Sequence, residues 1–166
     1  MGKKPIVTYP NREKASSQVT RLAVVVVLLV STLLLAWQTK RGWDLLEDAK
    51  QLHFVFMAVN LIFMIQVLRW SRGVLPMAAA IATFIGIFAF VSIGSWYSRD
   101  AVGFREQALS ADLGLLTQVI LGVQVVVVLV TIFAMSQNWQ TEVEVHADNP
   151  DHPEYQHSGG GGTALA

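Results

Sequence analysis

The sequence predicts an all-α membrane protein: a four-transmembrane-helix antiparallel bundle with a short amphipathic outer link and flexible tails. Three observations lead to this fold class. Of the 166 residues, 53% are hydrophobic and only 14% are charged, whereas about a quarter of a typical soluble domain is charged. Four stretches are apolar and long enough to cross a bilayer, which takes about 20 residues. All five tryptophans lie at or just beyond the ends of these stretches.

The four predicted spans are residues 19–37, 52–68, 74–97 and 113–135. Their cores, counted from residue 22 in the first, contain no Asp, Glu, Lys or Arg. A soluble bundle would show a polar face on each helix, but the first span contains the run AVVVVLLV. The basic start of that span also fits a secretory signal peptide. Because small residues at the cleavage spacing are missing where the run ends at Trp37, we expect an uncleaved anchor.

The tryptophans support the same boundaries independently. An indole ring prefers the edge of the bilayer, because its N–H can reach water while the ring stays among the acyl chains. We therefore predict five interface anchors: Trp37, Trp43, Trp70, Trp96 and Trp139.

The two ends of the chain differ in charge. Residues 1–18 are a predicted flexible basic tail, and residues 136–166 a predicted disordered tail that is acidic, contains His and is rich in Gly. Residues 141–146 alternate like a strand, although a single short strand is rarely stable. With four spans, both tails and the 69–73 turn share one side, which carries seven Lys and Arg, Arg21 at the start of the first span included, against five opposite. Basic residues favour the cytoplasmic side, so we expect both termini in the cytoplasm of a bacterium and the chain in its inner membrane.

The connections between spans are short. In residues 38–51, three side chains fall at helical spacing: Trp43, Leu46 and either Ala49 or Lys50. We predict a short amphipathic helix there that covers the outer end of the bundle; a docking surface is the less common alternative. Residues 69–73 leave room only for a helical hairpin, and residues 98–111 should lie beside the first link.

Small and polar residues indicate where membrane helices face each other. The third span carries a stripe of small residues at intervals of four: Ala78, Ala82 and Gly86. We expect this stripe to pack within the chain, although small residues also serve homodimers. On the second and fourth spans, Asn60 and Gln124 are the expected interhelical hydrogen-bond partners. Thr117 and Thr131 lie seven residues on either side of Gln124 and extend its polar face.

His53, near the outer boundary of the second span, is the polar site that we single out. A bis-histidine haem needs a second histidine at membrane depth, which the sequence lacks; a quinone headgroup needs only one donor, and an interfacial anchor is the commoner role. The C-terminal tail groups weak ligands for a transition metal: His146, Asp148, Asp151, His152, Glu154 and His157. We predict no cofactor, no dedicated metal site and no catalytic set.

These features predict a non-enzymatic integral membrane protein that does not bind nucleic acid. The uncharged spans disfavour proton pumping and ion-coupled transport, which need an intramembrane charge. The leading hypothesis is an accessory or assembly subunit of a larger membrane complex, with the bilayer and other membrane-protein subunits, or further copies of the chain, as partners. The alternative is a homo-oligomeric passive channel or small-solute permeator, in which Thr117, Gln124 and Thr131 would line the path.

Overall fold

A computed structural model describes residues 6–46, 49–98 and 109–145, without the side chains of residues 6, 7, 144 and 145. Its elements, in chain order, are β1 (Ile6–Thr8), α1 (Pro10–Glu13), α2 (Ala15–Arg41), α3 (Ala49–Leu68), α4 (Val74–Ser98), α5 (Leu109–Ser136) and β2 (Val143–Val145). The four long helices are each apolar and long enough to cross a membrane, which confirms that the chain contains four candidate spans.

Each of the four long helices extends beyond the predicted span at one or both ends. The helix α2 begins four residues earlier than predicted and ends four later, and α5 has 28 residues. At 1.5 Å per residue α5 is about 42 Å long, more than the ~30 Å hydrocarbon layer. The additional turns at the helix ends carry polar and charged residues such as Lys40, Arg41 and Asp112, which would lie in the headgroup region if the apolar part of each helix spans the bilayer.

The helix α2 buries polar side chains and exposes apolar ones. The buried polar residues are Ser17, Thr20, Ser31, Thr32, Gln38 and Thr39. The exposed apolar residues on the same helix include Val19, Leu22, Val26, Leu29 and Leu33. In water this arrangement would reverse the preference of both classes, whereas in a bilayer the lipid covers the apolar surface and the polar groups find partners inside.

Each long helix packs on the next one in the chain, and α5 packs back on α2. The helices α4 and α5 share the most extensive contact, while α3 and α4 contact each other least among these four neighbouring pairs. The small residues Ala78, Ala82 and Gly86 are buried on α4. Because Gly86 lies beside Gln124 and Leu121 of α5, at least this end of the stripe contributes to packing within the chain.

The link after α2 differs from the predicted amphipathic helix. The amide of Gly42 bonds the carbonyl of Gln38, and the amides of Leu45 and Leu46 both bond the carbonyl of Gly42, so residues 42–46 form a hydrogen-bonded turn. Because α2 continues to Arg41 and α3 begins at Ala49, the space for a separate helix is taken up by the two spans. Leu46 is buried and covers the helix ends, as the prediction required. Residues 47–48, and residues 99–108 of the other outer link, lie outside the described residues.

The strand-like alternation in residues 141–146 has a partner at the opposite end of the sequence. The strands β1 and β2 pair antiparallel, with Ile6 opposite Val145 and Thr8 opposite Val143. Parts of both predicted flexible tails therefore have a defined conformation. The physical reason is that pairing supplies the hydrogen bonds that a single strand lacks. The metal-ligand group from His146 to His157 lies outside the described residues.

Candidate functional site

A three-helix hydrogen-bond centre lies in the middle of the protein. The side-chain amides of Asn60 on α3 and Gln124 on α5 both donate to the Ser31 hydroxyl oxygen on α2, at 3.3 and 2.9 Å. All three residues are at most 2% exposed. Asn60 and Gln124 were the expected partners, and the structure joins them through a serine that the sequence analysis did not single out.

Two further hydrogen bonds join α2 to α5 or to the residue just after α5, one near each end of α2. The Gln38 amide donates to the Thr117 hydroxyl at 2.9 Å, and the Gln137 amide just after α5 donates to the Thr20 hydroxyl at 2.9 Å. Thr131 instead donates to carbonyls of its own helix. The residues Thr117, Gln124 and Thr131 are thus buried and hydrogen-bonded inside a single chain.

A tail-end cap closes the end of the protein where α2 begins and α5 ends. We use this name for β1, α1, residues 69–73 and residues 137–145. The Trp70 and Trp139 rings meet edge to face with centroids 5.6 Å apart, and Trp139 is completely buried. The Arg12 guanidinium donates to the Trp139 carbonyl at 3.2 Å and lies 3.8 Å from the Tyr9 ring centroid. Arg21 stacks on Trp70 at 4.2 Å.

Trp70 takes part in the cap although its backbone adopts an unfavourable conformation. Trp70 has a φ of 63°, and the amide of Ser71 bonds the carbonyl of Gln66, as in a helix ending for which glycine is the usual residue. A side chain in this conformation costs about 1–2 kcal/mol. The indole packing with Trp139 and the stacking of Arg21 offset that cost.

Two polar contacts fasten the strand segments of the cap. The Tyr9 hydroxyl donates to the Glu142 carboxylate at 3.0 Å, and this hydrogen bond raises the pKa of the Tyr9 phenol above its ordinary value of 10.0. The Asn11 amide donates to the Asn138 carbonyl at 3.1 Å. Both contacts are exposed, so they set the register of the tails more than they add stability.

The opposite end, where residues 42–46 lie beside the start of α5, holds His53 and a cavity of about 180 Å³. The His53 Nδ1 lies 2.9 Å from the Thr39 hydroxyl oxygen. The cavity is bordered by all four long helices and by Leu46; Gln38, His53, Ser92 and Trp96 are the residues with polar side-chain atoms along it. The possible polar site predicted at His53 is therefore next to an internal space.

The α4–α5 groove is a second recess, at mid-span, and all of its lining residues belong to α4 and α5. Its volume is about 350 Å³, and its lining includes the small residues Ala82 and Gly86, with the larger Ile87, Phe90, Val125 and Leu129 around them. Thr83 is exposed at the groove and donates its hydroxyl to its own helix. Apolar side chains dominate the surface of this groove.

The five tryptophans have different environments. Trp37 and Trp43 are about half exposed, as a ring at the lipid boundary would be. Trp96 and Trp139 pack inside the protein instead, because neighbouring helix ends and the cap cover them. Their position at span ends followed from the sequence, but the partner of each ring did not.

The space around two helical glycines, Gly114 and Gly86, differs. A Cβ at Gly114 would lie 2.9 Å from the Tyr97 ring and 3.3 Å from the Trp96 Cβ, whereas one at Gly86 would meet nothing closer than 3.6 Å. We expect Gly114→Ala to lower the unfolding free energy by about 1 kcal/mol through overpacking, and Gly86→Ala to leave it unchanged. Unfolding in bicelles measures both; equal effects would contradict the described packing of Tyr97.

The comparisons with known proteins add no relative. No model of a known protein family matches the chain, no characterised protein matches it, and no solved structure matches it. Among the described residues, no group of three or more His, Asp or Glu side chains is placed to hold a metal ion. The function therefore has to be argued from the geometry of the four helices, the cap and the two recesses.

Proposed function

We propose that this protein is a non-enzymatic packing subunit of a larger complex in the bacterial inner membrane, folded as an antiparallel four-helix bundle. The observation that carries the proposal is the α4–α5 groove, an apolar recess of about 350 Å³ in a surface that faces lipid. Membrane helices associate through small residues that let backbones approach closely. Ala82 and Gly86 are themselves buried, but because their side chains are small they leave a recess between α4 and α5 that would receive one helix of a partner subunit.

The hydrogen bonds inside the chain support this role. The buried side chains of Asn60 and Gln124 each donate a hydrogen bond to Ser31 within the same chain, so these polar groups find partners without a second copy. A homo-oligomeric channel would require Thr117, Gln124 and Thr131 to face a path between copies. Their burial inside one chain makes that alternative the weaker proposal.

The contacts at the two ends support the antiparallel arrangement and the orientation. Arg21 at the start of α2 bonds the carbonyl of Leu68 at the end of α3, and Arg72 bonds the carbonyl of Met135 near the end of α5. Arg41 near the end of α2 pairs with Asp112 near the start of α5, at 3.4 Å. The cap end carries Arg12, Lys14, Arg21, Arg69 and Arg72, and the positive-inside tendency then favours a cytoplasmic cap with both termini.

Site-specific photocrosslinking in native membranes tests the proposed function. A benzophenone side chain at Thr83, on the groove, should give a discrete product with another membrane protein. The matched control is Ile62, which is exposed at mid-span on α3 and does not line the groove. Products at neither position, or equally at both, would contradict a docking role for the groove, and a product of twice the chain mass would favour self-association.

A further inference from the structure

We propose that the cavity beside His53 binds the head of a membrane-dissolved phenol, a single aromatic ring that carries a hydroxyl group and an apolar tail. The ligand's hydroxyl would donate a hydrogen bond to Nε2 of His53. This binding site is separate from the α4–α5 groove, and it does not depend on the proposed packing role.

The first step is the tautomer of His53. The Thr39 hydroxyl oxygen lies 2.7 Å from the Leu35 carbonyl oxygen, and two oxygens at this distance need a hydrogen between them. The one hydroxyl hydrogen of Thr39 is thereby used, so the 2.9 Å contact with Nδ1 of His53 requires a hydrogen on Nδ1. In the neutral ring Nε2 is then an acceptor.

The second step is what the ring presents to the cavity. His53 lines the cavity and Thr39 does not, so the Nδ1 side faces Thr39 and the rest of the ring, with Nε2, is left for the cavity. Among the described residues, the hydrogen bond to Thr39 is the one found for His53, and it engages Nδ1. Ser92 also lines the cavity; its hydroxyl donates to the Ala89 carbonyl at 2.9 Å, so its oxygen too is left to accept. Both acceptors, Nε2 of His53 and the Ser92 hydroxyl oxygen, favour a ligand that carries a hydrogen-bond donor.

The third step is the size and the access of the cavity. An apolar cavity of about 150 Å³ holds benzene, so about 180 Å³ suits one substituted six-membered ring. The Phe56 and Phe88 rings, 6.3 Å apart, line it from α3 and α4, which contact each other least among the neighbouring helices. Phe88 is 53% exposed, which places this seam at the lipid.

The fourth step is depth. His53 is the fifth residue of α3, about 6 Å along the helix from its start. A hydroxyl bonded there lies near the headgroup level, while a tail leaving between α3 and α4 enters the hydrocarbon. A quinone ring carries acceptors only, and it would face the acceptor nitrogen of His53 with no hydrogen between them. At His53 the site therefore favours a hydroxyl over a carbonyl.

Two matched probes test the inference: 4-decylphenol and its methyl ether 4-decylanisole, which differ only in the donor hydrogen. With the full chain in phosphatidylcholine nanodiscs, we expect the phenol to bind about tenfold more tightly than the ether, which corresponds to one buried hydrogen bond. In ¹⁵N-histidine NMR spectra, the unprotonated-nitrogen signal of His53 should shift with the phenol and stay in place with the ether.

Substitutions localise the binding. His53→Leu should lower the affinity for 4-decylphenol about tenfold and leave that for 4-decylanisole unchanged. Trp37→Phe, on an exposed ring outside the cavity, should change neither. Equal affinities of the two probes, or a His53 signal that shows a proton on Nε2, would overturn the proposal. The two wild-type measurements decide it even where His53→Leu does not fold.

Discussion

Replacing Ser31 by alanine is expected to lower the unfolding free energy by about 1–3 kcal/mol, because two interhelical hydrogen bonds share its hydroxyl oxygen and each is worth about 0.6–1.7 kcal/mol in a bilayer. The change leaves the amides of Asn60 and Gln124 without the acceptor that they share, and both are buried where water cannot replace it. Steric trapping in bicelles measures the unfolding free energy of the full chain.

Thr32→Val is the matched control, since Thr32 is the next residue on the same helix and is also buried. Its hydroxyl bonds only the Leu28 carbonyl of its own helix, which already accepts the helical amide. We expect a loss below about 0.5 kcal/mol. Gln124→Leu should then cost less in the Ser31→Ala background than in the wild type. Additive losses would show that Ser31 does not join the three helices.

The presence of four candidate spans could be predicted because the bilayer imposes a length and excludes charge. The helix ends could not be placed as well, because residues such as Lys40 and Arg41 extend a helix beyond the apolar layer while their long side chains reach water. Hydropathy falls at these residues although the backbone stays helical to Arg41. The lipid boundary and the helix end are two separate boundaries.

The buried polar residues of α5 could be predicted from the sequence, whereas those of α2 were missed. Gln124 and its neighbours Thr117 and Thr131 stand out because polar residues recur every seven positions on α5. The helix α2 carries the same signal at Ser17, Ser31 and Gln38, with the buried Val24 between them. Serine is small and weakly polar, so it is easily passed over in an apolar run. Its value as an acceptor appears only once Asn60 and Gln124 converge on it.

The pairing of the tails depends on contacts between distant residues, which local sequence patterns cannot predict. Thr8 and Val143 are 135 residues apart, and the Thr8 hydroxyl donates to the Val143 carbonyl at 3.2 Å. Alternation in residues 141–146 indicated one strand, but the N-terminal partner is only three residues long. The four spans bring the two ends to the same side, so most of the entropy cost of closing this loop is already met by bundle folding.

Replacing Trp139 by alanine is expected to open the tail-end cap while the four long helices stay folded. Trp139 is fully buried against Trp70, and truncating such a ring costs about 3 kcal/mol or more. Without it, Trp70 keeps its strained backbone and loses the ring that offsets the strain. Amide hydrogen exchange in β1 and β2 should therefore accelerate by about two orders of magnitude, at 1.4 kcal/mol per tenfold.

The exposed Trp37 provides the control, because Trp37→Ala removes the same side chain from the far end of α2. In the Trp37→Ala variant, amide hydrogen exchange in β1 and β2 should be unchanged. The amides at mid-span in α2 and α5 should stay protected in both variants. This difference separates local opening of the cap from unfolding of the bundle. Slow exchange in β1 and β2 after Trp139→Ala would mean that the strand pair holds the tails together without the two indole rings.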